Sequence, residues 1–293
     1  MHDGILLTRG YKAQTIKNRR SSLAHVRRLW GAMPIATMKP QAVASGLRSI
    51  PKERSALAVR VLSELRDVFT EAVAAGWTET NPARDVKAPK HKVLRERLEL
   101  AVWMQMRELS KASPQRWVES LLLLALATGQ RRADLAKMRF DDIVDGHLRV
   151  EQQKEAGKGY GARVEIPLTL RLDCIGMTLG DVIEHCRQSA KPGATLLRQA
   201  NGRPIEASSL SARFCQHIKV VLGDADPGTH RRPSLHEARS CAARTYVEQG
   251  IEPRVVQTLL GHSDLEMTEL YLNDRGLSKD KWKRVALDPV PAE

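Results

Sequence analysis

The chain is poor in cysteine and pairs none of it in sequence. Cys174, Cys186, Cys215 and Cys241 stand far apart with no C-x-x-C, which excludes a zinc knuckle and a disulfide scaffold. Reduced thiols, buried or partly so, are expected, and none has the surroundings of a nucleophile. Long apolar runs are missing too. The longest candidate, Leu121 to Ala127, falls far short of the ~20 residues that cross a bilayer. The opening Met1-His2-Asp3-Gly4 has neither the basic start nor the apolar stretch of a signal peptide. A cytoplasmic protein with no membrane partner is therefore expected. There is no G-x-x-x-x-G-K-[ST] loop, no H-E-x-x-H and no acidic cluster with metal-ligand spacing, so no metal and no cofactor is expected. Internal repeats and low-complexity tracts are also absent.

Acidic residues are in deficit. The 293 residues hold 47 Lys+Arg against 34 Asp+Glu, a net charge of +13. Hydrophobic content is 42% and charged content 28%, the proportions of an ordinary globular protein. The length fits about two domains. The charge is unevenly spread. Residues 1–95 hold 18 Lys+Arg and 7 Asp+Glu, leaving +11, whereas residues 96–293 hold 29 and 27, leaving +2. Such asymmetry points to a polyanion, nucleic acid before others, met by the first third of the chain. A basic surface that serves only solubility is the alternative.

Periodicity divides the chain. Ile16, Leu23, Val26 and Leu29-Trp30 recur at helical spacing over 14–30, with Thr15 as the expected cap. Arg19, Arg20, Arg27 and Arg28 occupy the other face. Further helices are expected over 39–48, with Pro40 in the first turn, and over 53–75, ended by Gly76. Residues 84–97 interleave Arg84, Lys87, Lys90, Lys92, Arg95 and Arg97 with Pro89 and His91, the composition of an exposed basic linker. The expected division is a helical domain over 1–85, a linker over 86–97 and a second domain over 98–293. In the second domain, helices are expected over 98–112, 114–128 and 132–138. Asp145-Gly146 between two apolar stretches is a hairpin signal, and Arg163–Ile166 reads as a third strand. Helices over 178–189, 208–222, 236–249, 252–260 and 264–273 complete a mainly α chain with one small antiparallel sheet.

Several short segments carry potential chemistry. In Thr128-Gly129-Gln130-Arg131-Arg132-Ala133-Asp134-Leu135 a glycine turn brings Arg131 near a helix start. An arginine there offers a planar fork to a phosphate, or else decorates a helix connection. Asp134 could cap the helix or hold Arg131. His236 and Arg239 lie at i and i+3 on one helix face, a pair suited to gripping a phosphate and moving a proton, or an ordinary surface pair. Gly261 ends a helix and puts His262 at the next start, with Tyr271 nine residues on. A tyrosine phenol, with its reference pKa of ~10, needs cationic neighbours and a proton acceptor to attack anything. Lys154 follows Glu151-Gln152-Gln153 at a strand end.

Taken in order, Arg131, Lys154, His236, Arg239, His262 and Tyr271 resemble the tyrosine recombinase (phage integrase) family, and the lambda-type integrases within it. The frames are T-G-x-R-x-x-[ED]-L at 128–135, E-Q-x-K at 151–154 with Ile166-Pro167 after it, H-E-x-R at 236–239, L-G-H at 260–262, and Tyr271 before Asp274-Arg275-Gly276. The resemblance runs over roughly residues 10 to 287. It implies a two-domain tyrosine recombinase fold, a helical core-binding domain plus an α/β catalytic domain, that clamps double-stranded DNA.

The resemblance also implies roles. Tyr271 would attack the scissile phosphate to form a 3′-phosphotyrosyl link. Arg131 and Arg239 would hold the non-bridging oxygens, and Asp134 would support the first arginine. Lys154 would protonate the leaving 5′-oxygen, His236 would accept the tyrosine proton, and His262 would hydrogen-bond the phosphate. Arg19, Arg20, Arg27, Arg28, Lys87, Lys90 and Lys92 would contact DNA. Attachment-site DNA would be bound by a homo-tetramer that is monomeric when free, with accessory DNA-bending proteins, in the host cytoplasm. The tail around Trp282, Val285 and Leu287 would dock on a neighbouring protomer. Two departures stand out. Ala238 replaces a customary Leu, a packing change, and the turn after Lys154 is longer, which makes Lys158 a rival proton donor. The chain begins where the family's core-binding domain begins, as a truncated integrase or a simpler recombinase would. A type IB topoisomerase-like relaxing enzyme, or a non-catalytic DNA-binding protein on this fold, are the alternatives.

Overall fold

A computed structural model describes residues 4, 8–90, 96–152, 161–224, 232–262 and 268. The chain forms two compact units, Met1–Val93 and Leu94–Glu293. This division falls within the expected linker. Its first residue, Val86, packs on the core of the first unit, and the Val86 carbonyl accepts from Arg66 Nη2 at 2.7 Å.

The first unit is helical: α1 (Ala13–Trp30), α2 (Pro40–Arg48) and α3 (Ser55–Ala74). Leu23, Val26 and Trp30 of α1, Val43 and Leu47 of α2, and Val61, Leu62, Leu65 and Phe69 of α3 form one core. Thr15 does not cap α1, which begins two residues earlier after Lys12, with no side-chain cap. Tertiary ties replace the cap. Arg9 pairs with Asp67 of α3 at 2.8 Å and also with Glu71, anchoring the segment before α1 on its neighbour.

The second unit is built around a helix that is apolar on every side. Eleven of the twelve residues of α5 (Trp117–Thr128) are buried, as expected of a helix surrounded by others. Packed on it are α4 (Leu100–Lys111), α7 (Leu179–Gln188), α8 (Ala207–Leu222) and α9 (Glu237–Glu248). The short α6 (Arg132–Leu135) follows α5 after the Gly129 turn.

Strands β1 (Ile143–Val144), β2 (His147–Glu151) and β3 (Arg163–Pro167) form an antiparallel sheet in the order β1-β2-β3. Asp145 and Gly146, both at positive φ, make the hairpin turn. Leu148 pairs with Ile166 and Val150 with Val164. All four face the core, so register and burial agree. A second sheet, β4 (Arg171–Leu172) with β5 (Met177–Thr178), was not expected, because two-residue strands show no alternation. Last comes α10 (Pro253–Leu260), which lies against β3. The helix expected over 264–273 lies outside the described residues except for Thr268. No described helix is long and apolar enough to cross a membrane.

Candidate active site

Two helices end facing each other. Helix α5 stops at Gly129 (φ +61°) and α10 at Gly261 (φ +64°), the left-handed cap that glycine adopts without strain. Space requires glycine as well. A Cβ on Gly129 would stand 2.7 Å from Leu260 Cδ2, and one on Gly261 would stand 2.7 Å from the Gln152 amide.

Helix ends leave carbonyls without intrahelical partners, and they carry negative partial charge. Here side chains take them up. Tyr246 donates to Ala127 O at 2.6 Å. Gln130 Nε2 donates to Thr128 O at 3.0 Å and to Leu259 O at 2.7 Å. Arg239 Nη1 donates to Gly129 O at 2.9 Å, and its Nη2 donates to Leu260 O. Arg239 is only 1% exposed. A full positive charge is tolerated at that depth because two helix C-termini converge on it.

Arg131 comes from the same turn. It is the residue before α6, in extended conformation, and is half-buried. Its Nη1 donates to Gln152 Oε1 at 2.7 Å. Asp134 is buried within α6, and its backbone N–H donates to Arg131 O at 2.9 Å. His236, also half-buried, stands at the N-terminal boundary of α9, one turn before Arg239.

His262 is 6% exposed and its Nδ1 lies 3.0 Å from Thr268 Oγ1. Its pKa is pushed down to about 4, first by burial and then by the positive charges of Arg239, Arg131 and His236. The imidazole is therefore neutral at physiological pH. The same influences show that these four side chains share one electrostatic environment. Lys154, Lys158 and Tyr271 lie outside the described residues, as do Lys92 and the tail with Trp282, Val285 and Leu287.

Gln130, Gln152 and Thr268 were not anticipated. Gln130 stands at the unassigned position of T-G-x-R, and Gln152 is the glutamine of E-Q-x-K, a frame letter to which the sequence attached no role.

In the helical unit the four α1 arginines part company. Arg20, Arg27 and Arg28 are exposed. Arg19 is turned onto α3, where its Nε pairs with Glu64 at 3.0 Å and its Nη2 with Asp67. Its Nη1 donates to the Tyr11 hydroxyl at 3.0 Å. Burial works against the Asp67 carboxylate, yet Arg19 and Arg9 hold its pKa below the ordinary value. Arg19 is thus held inside the unit by Glu64, Asp67 and Tyr11. Helical geometry is the reason, since one residue of rotation separates Arg19 from Arg20 by about 100°. Lys87 and Lys90 are exposed and line a groove with Arg48 and Lys52.

The thiols divide similarly. Cys186 and Cys241 are buried, with pKa values pushed up by burial to about 12 and about 11. Cys215 is exposed, contrary to the expectation that all four would be covered, because it faces outward on α8.

Residues 98–276 match the phage integrase family, and residues 7–89 match the phage integrase central domain. The integrase of Enterobacteria phage 434 is 33% identical over 96% of this chain and 76% of its own length. That of Escherichia phage lambda is 32% identical over the same shares. Among solved structures, a lambda integrase dimer bound to a core site superposes with a TM-score of 0.86 at 31% identity, covering 98% of this chain and 97% of that one. A lambda integrase tetramer bound to a Holliday junction also gives 0.86, at 32% identity over 96% and 78%. These matches define an enzyme of the tyrosine recombinase class, which cleaves and rejoins DNA. Within that class, the chain belongs to the phage integrase family.

Proposed function

We propose that the protein carries out site-specific strand exchange between DNA attachment sites through a 3′-phosphotyrosyl intermediate. What supports this reading is that Arg239, Arg131 and His236 all act on the buried His262, beside two glycine-capped helix ends bridged by Arg239. The Tyr271 phenol oxygen attacks the phosphorus and the bond to the 5′-oxygen breaks. His236 takes the phenol proton, and Lys154 protonates the leaving oxygen. Arg131 and Arg239 face the charge that develops on the non-bridging oxygens, which preformed cations stabilise without reorganisation. A neutral His262 donates a hydrogen bond to the phosphate, and Asp134 supports the α6 turn that presents Arg131. A 5′-hydroxyl from the partner strand then attacks the phosphotyrosine, restoring the phosphodiester and freeing the phenol. The covalent link keeps the bond energy, so no ATP is consumed.

The helical unit supplies affinity through Arg20, Arg27, Arg28, Lys87, Lys90 and Lys92, each phosphate contact releasing counterions. The lambda integrase solved as a tetramer on a Holliday junction supports assembly of this chain as a homo-tetramer on DNA, with accessory bending proteins as further partners. The test is a nicked duplex carrying the core site mapped by footprinting. Wild type should accumulate a covalent adduct that Tyr271→Phe does not form. No adduct from wild type on the footprinted site refutes the reading.

A further inference from the structure

Gln152 and Gln130 form a closed pair of buried amides between the two helix ends. Both are 3% exposed. Gln130 Nε2 faces two carbonyls, Thr128 O and Leu259 O, so its Oε1 can only accept. It accepts from Gln152 Nε2 at 2.7 Å. The second hydrogen of Gln152 Nε2 goes to Leu260 O at 2.8 Å. Both hydrogens of Gln152 are then used, which turns its Oε1 toward Arg131 Nη1 at 2.7 Å. Backbone carbonyls thus dictate the orientation of one amide, that amide dictates the next, and the last oxygen fixes the guanidinium. Swapping O and N in either amide would set like groups against each other at every contact. The Gly261 backbone leaves the room that the Gln152 amide occupies.

We propose that Gln152 is a positioning residue for the cleavage step. Its carboxamide oxygen, oriented by Gln130 and Leu260 O, holds the Arg131 guanidinium at the scissile phosphate. A neutral acceptor suits this task. It anchors one edge of the arginine without cancelling the charge the phosphate needs, as a carboxylate would do in part. In this role Gln152 acts through Arg131. The inference rests on the proposed role of Arg131.

The test compares single-turnover cleavage of the nicked core-site duplex by wild type, Gln152→Met and Gln152→Glu. Both variants lose the two donated bonds to Gln130 and Leu260, and only Met also loses the acceptor for Arg131. Gln152→Met should cleave about 10–100-fold more slowly at unchanged DNA affinity, the scale of a misplaced catalytic group. Gln152→Glu, which keeps an oxygen against Arg131, should recover most of that rate at a similar melting temperature. In an Arg131→Lys background Gln152→Met should cost little more, because both act through one group. Should Gln152→Met fold poorly, Gln130→Met leaves Gln152 in place but frees its orientation, and a loss of about 2–10-fold is expected, the scale of one hydrogen bond. Equal rates for the Met and Glu variants, or additive losses with Arg131→Lys, overturn the positioning role while a cleaving wild type leaves the recombinase reading intact. A wild type that forms no adduct overturns both.

Discussion

Arg239 Nη1 donates to the carbonyl oxygen of Gly129 at 2.9 Å, so the second arginine of the site is bonded to the turn that presents the first. A single guanidinium also reaches Leu260 O, which places it across both helix ends. Arg239→Lys keeps the charge and loses the fork that spans two carbonyls. Cleavage should fall by at least about 10²-fold, as when one preorganised donor is removed from a developing oxyanion. A suicide-duplex time course checks this, and a lysine variant within a few-fold of wild type would contradict it.

Both glycines of these helix ends should resist substitution. Gly261→Ala puts an L-residue at φ +64° and a Cβ 2.7 Å from Gln152 Nε2. The left-handed backbone alone costs about 1–2 kcal/mol, and displacing Gln152 adds to it. Denaturant unfolding should show a loss above about 2 kcal/mol. The same substitution at Gly146, also at positive φ but with open space around its Cβ, should lose only the backbone part.

His262 gives a pH signature. Its folded pKa of about 4 lies below the unfolded value of about 6.5. Above pH 6.5 neither state binds the proton and the residue adds no pH dependence. As pH falls from 6.5 toward 4 only the unfolded chain is protonated, so stability is lost across that window. Unfolding free energies of wild type and His262→Asn should therefore draw together by about 1–2 kcal/mol between pH 7.5 and 5. A constant difference over that range would falsify the assignment of a neutral buried imidazole.

The arginines of α1 should separate by assay. Arg27→Ala should lower the slope of log affinity against log salt by about one unit. Arg19→Ala should leave the slope alone and cost about 1.5–3 kcal/mol of stability, since it removes charge-assisted bonds to Glu64 and Asp67. Salt titrations on the core-site duplex, paired with thermal melts, distinguish the two behaviours.

A buried arginine outside the site should behave as pure architecture. Arg198, 1% exposed, donates to the carbonyls of Lys191, Cys186 and Arg187 at 2.8, 3.0 and 2.7 Å and lies 5.0 Å from the Phe140 ring centre. Arg198→Met removes the side-chain donor from the Lys191 and Arg187 carbonyls, at about 1–3 kcal/mol apiece, while Cys186 O still accepts from Ser189. A melting-temperature drop of several degrees, in both the presence and absence of DNA, is the expected outcome.

Local pattern was enough to place α1 to α3, the hairpin turn at Asp145-Gly146 and the caps at Gly129 and Gly261, because helix periodicity and positive-φ turns are written in neighbouring residues. The candidate site residues at 131, 236, 239 and 262 were legible for the same reason, each standing in its own short frame. Pairing was not legible. Nothing near Arg19 in sequence announces that Glu64 and Asp67 will claim it, while Arg20 beside it stays exposed. Nor does anything near Gln152 announce Gln130, Leu260 and Arg131, which join it only when β2, α10 and the α5–α6 turn meet. Charge and spacing by themselves determined the partner class and the residue types of the chemistry. Tertiary structure alone decided which arginine of α1 is claimed by the acids of α3, how deeply Arg239 and His262 are desolvated, and which way each buried amide points. Those properties depend on contacts between residues 20 to 130 positions apart, and only the packed chain brings their atoms within hydrogen-bonding distance.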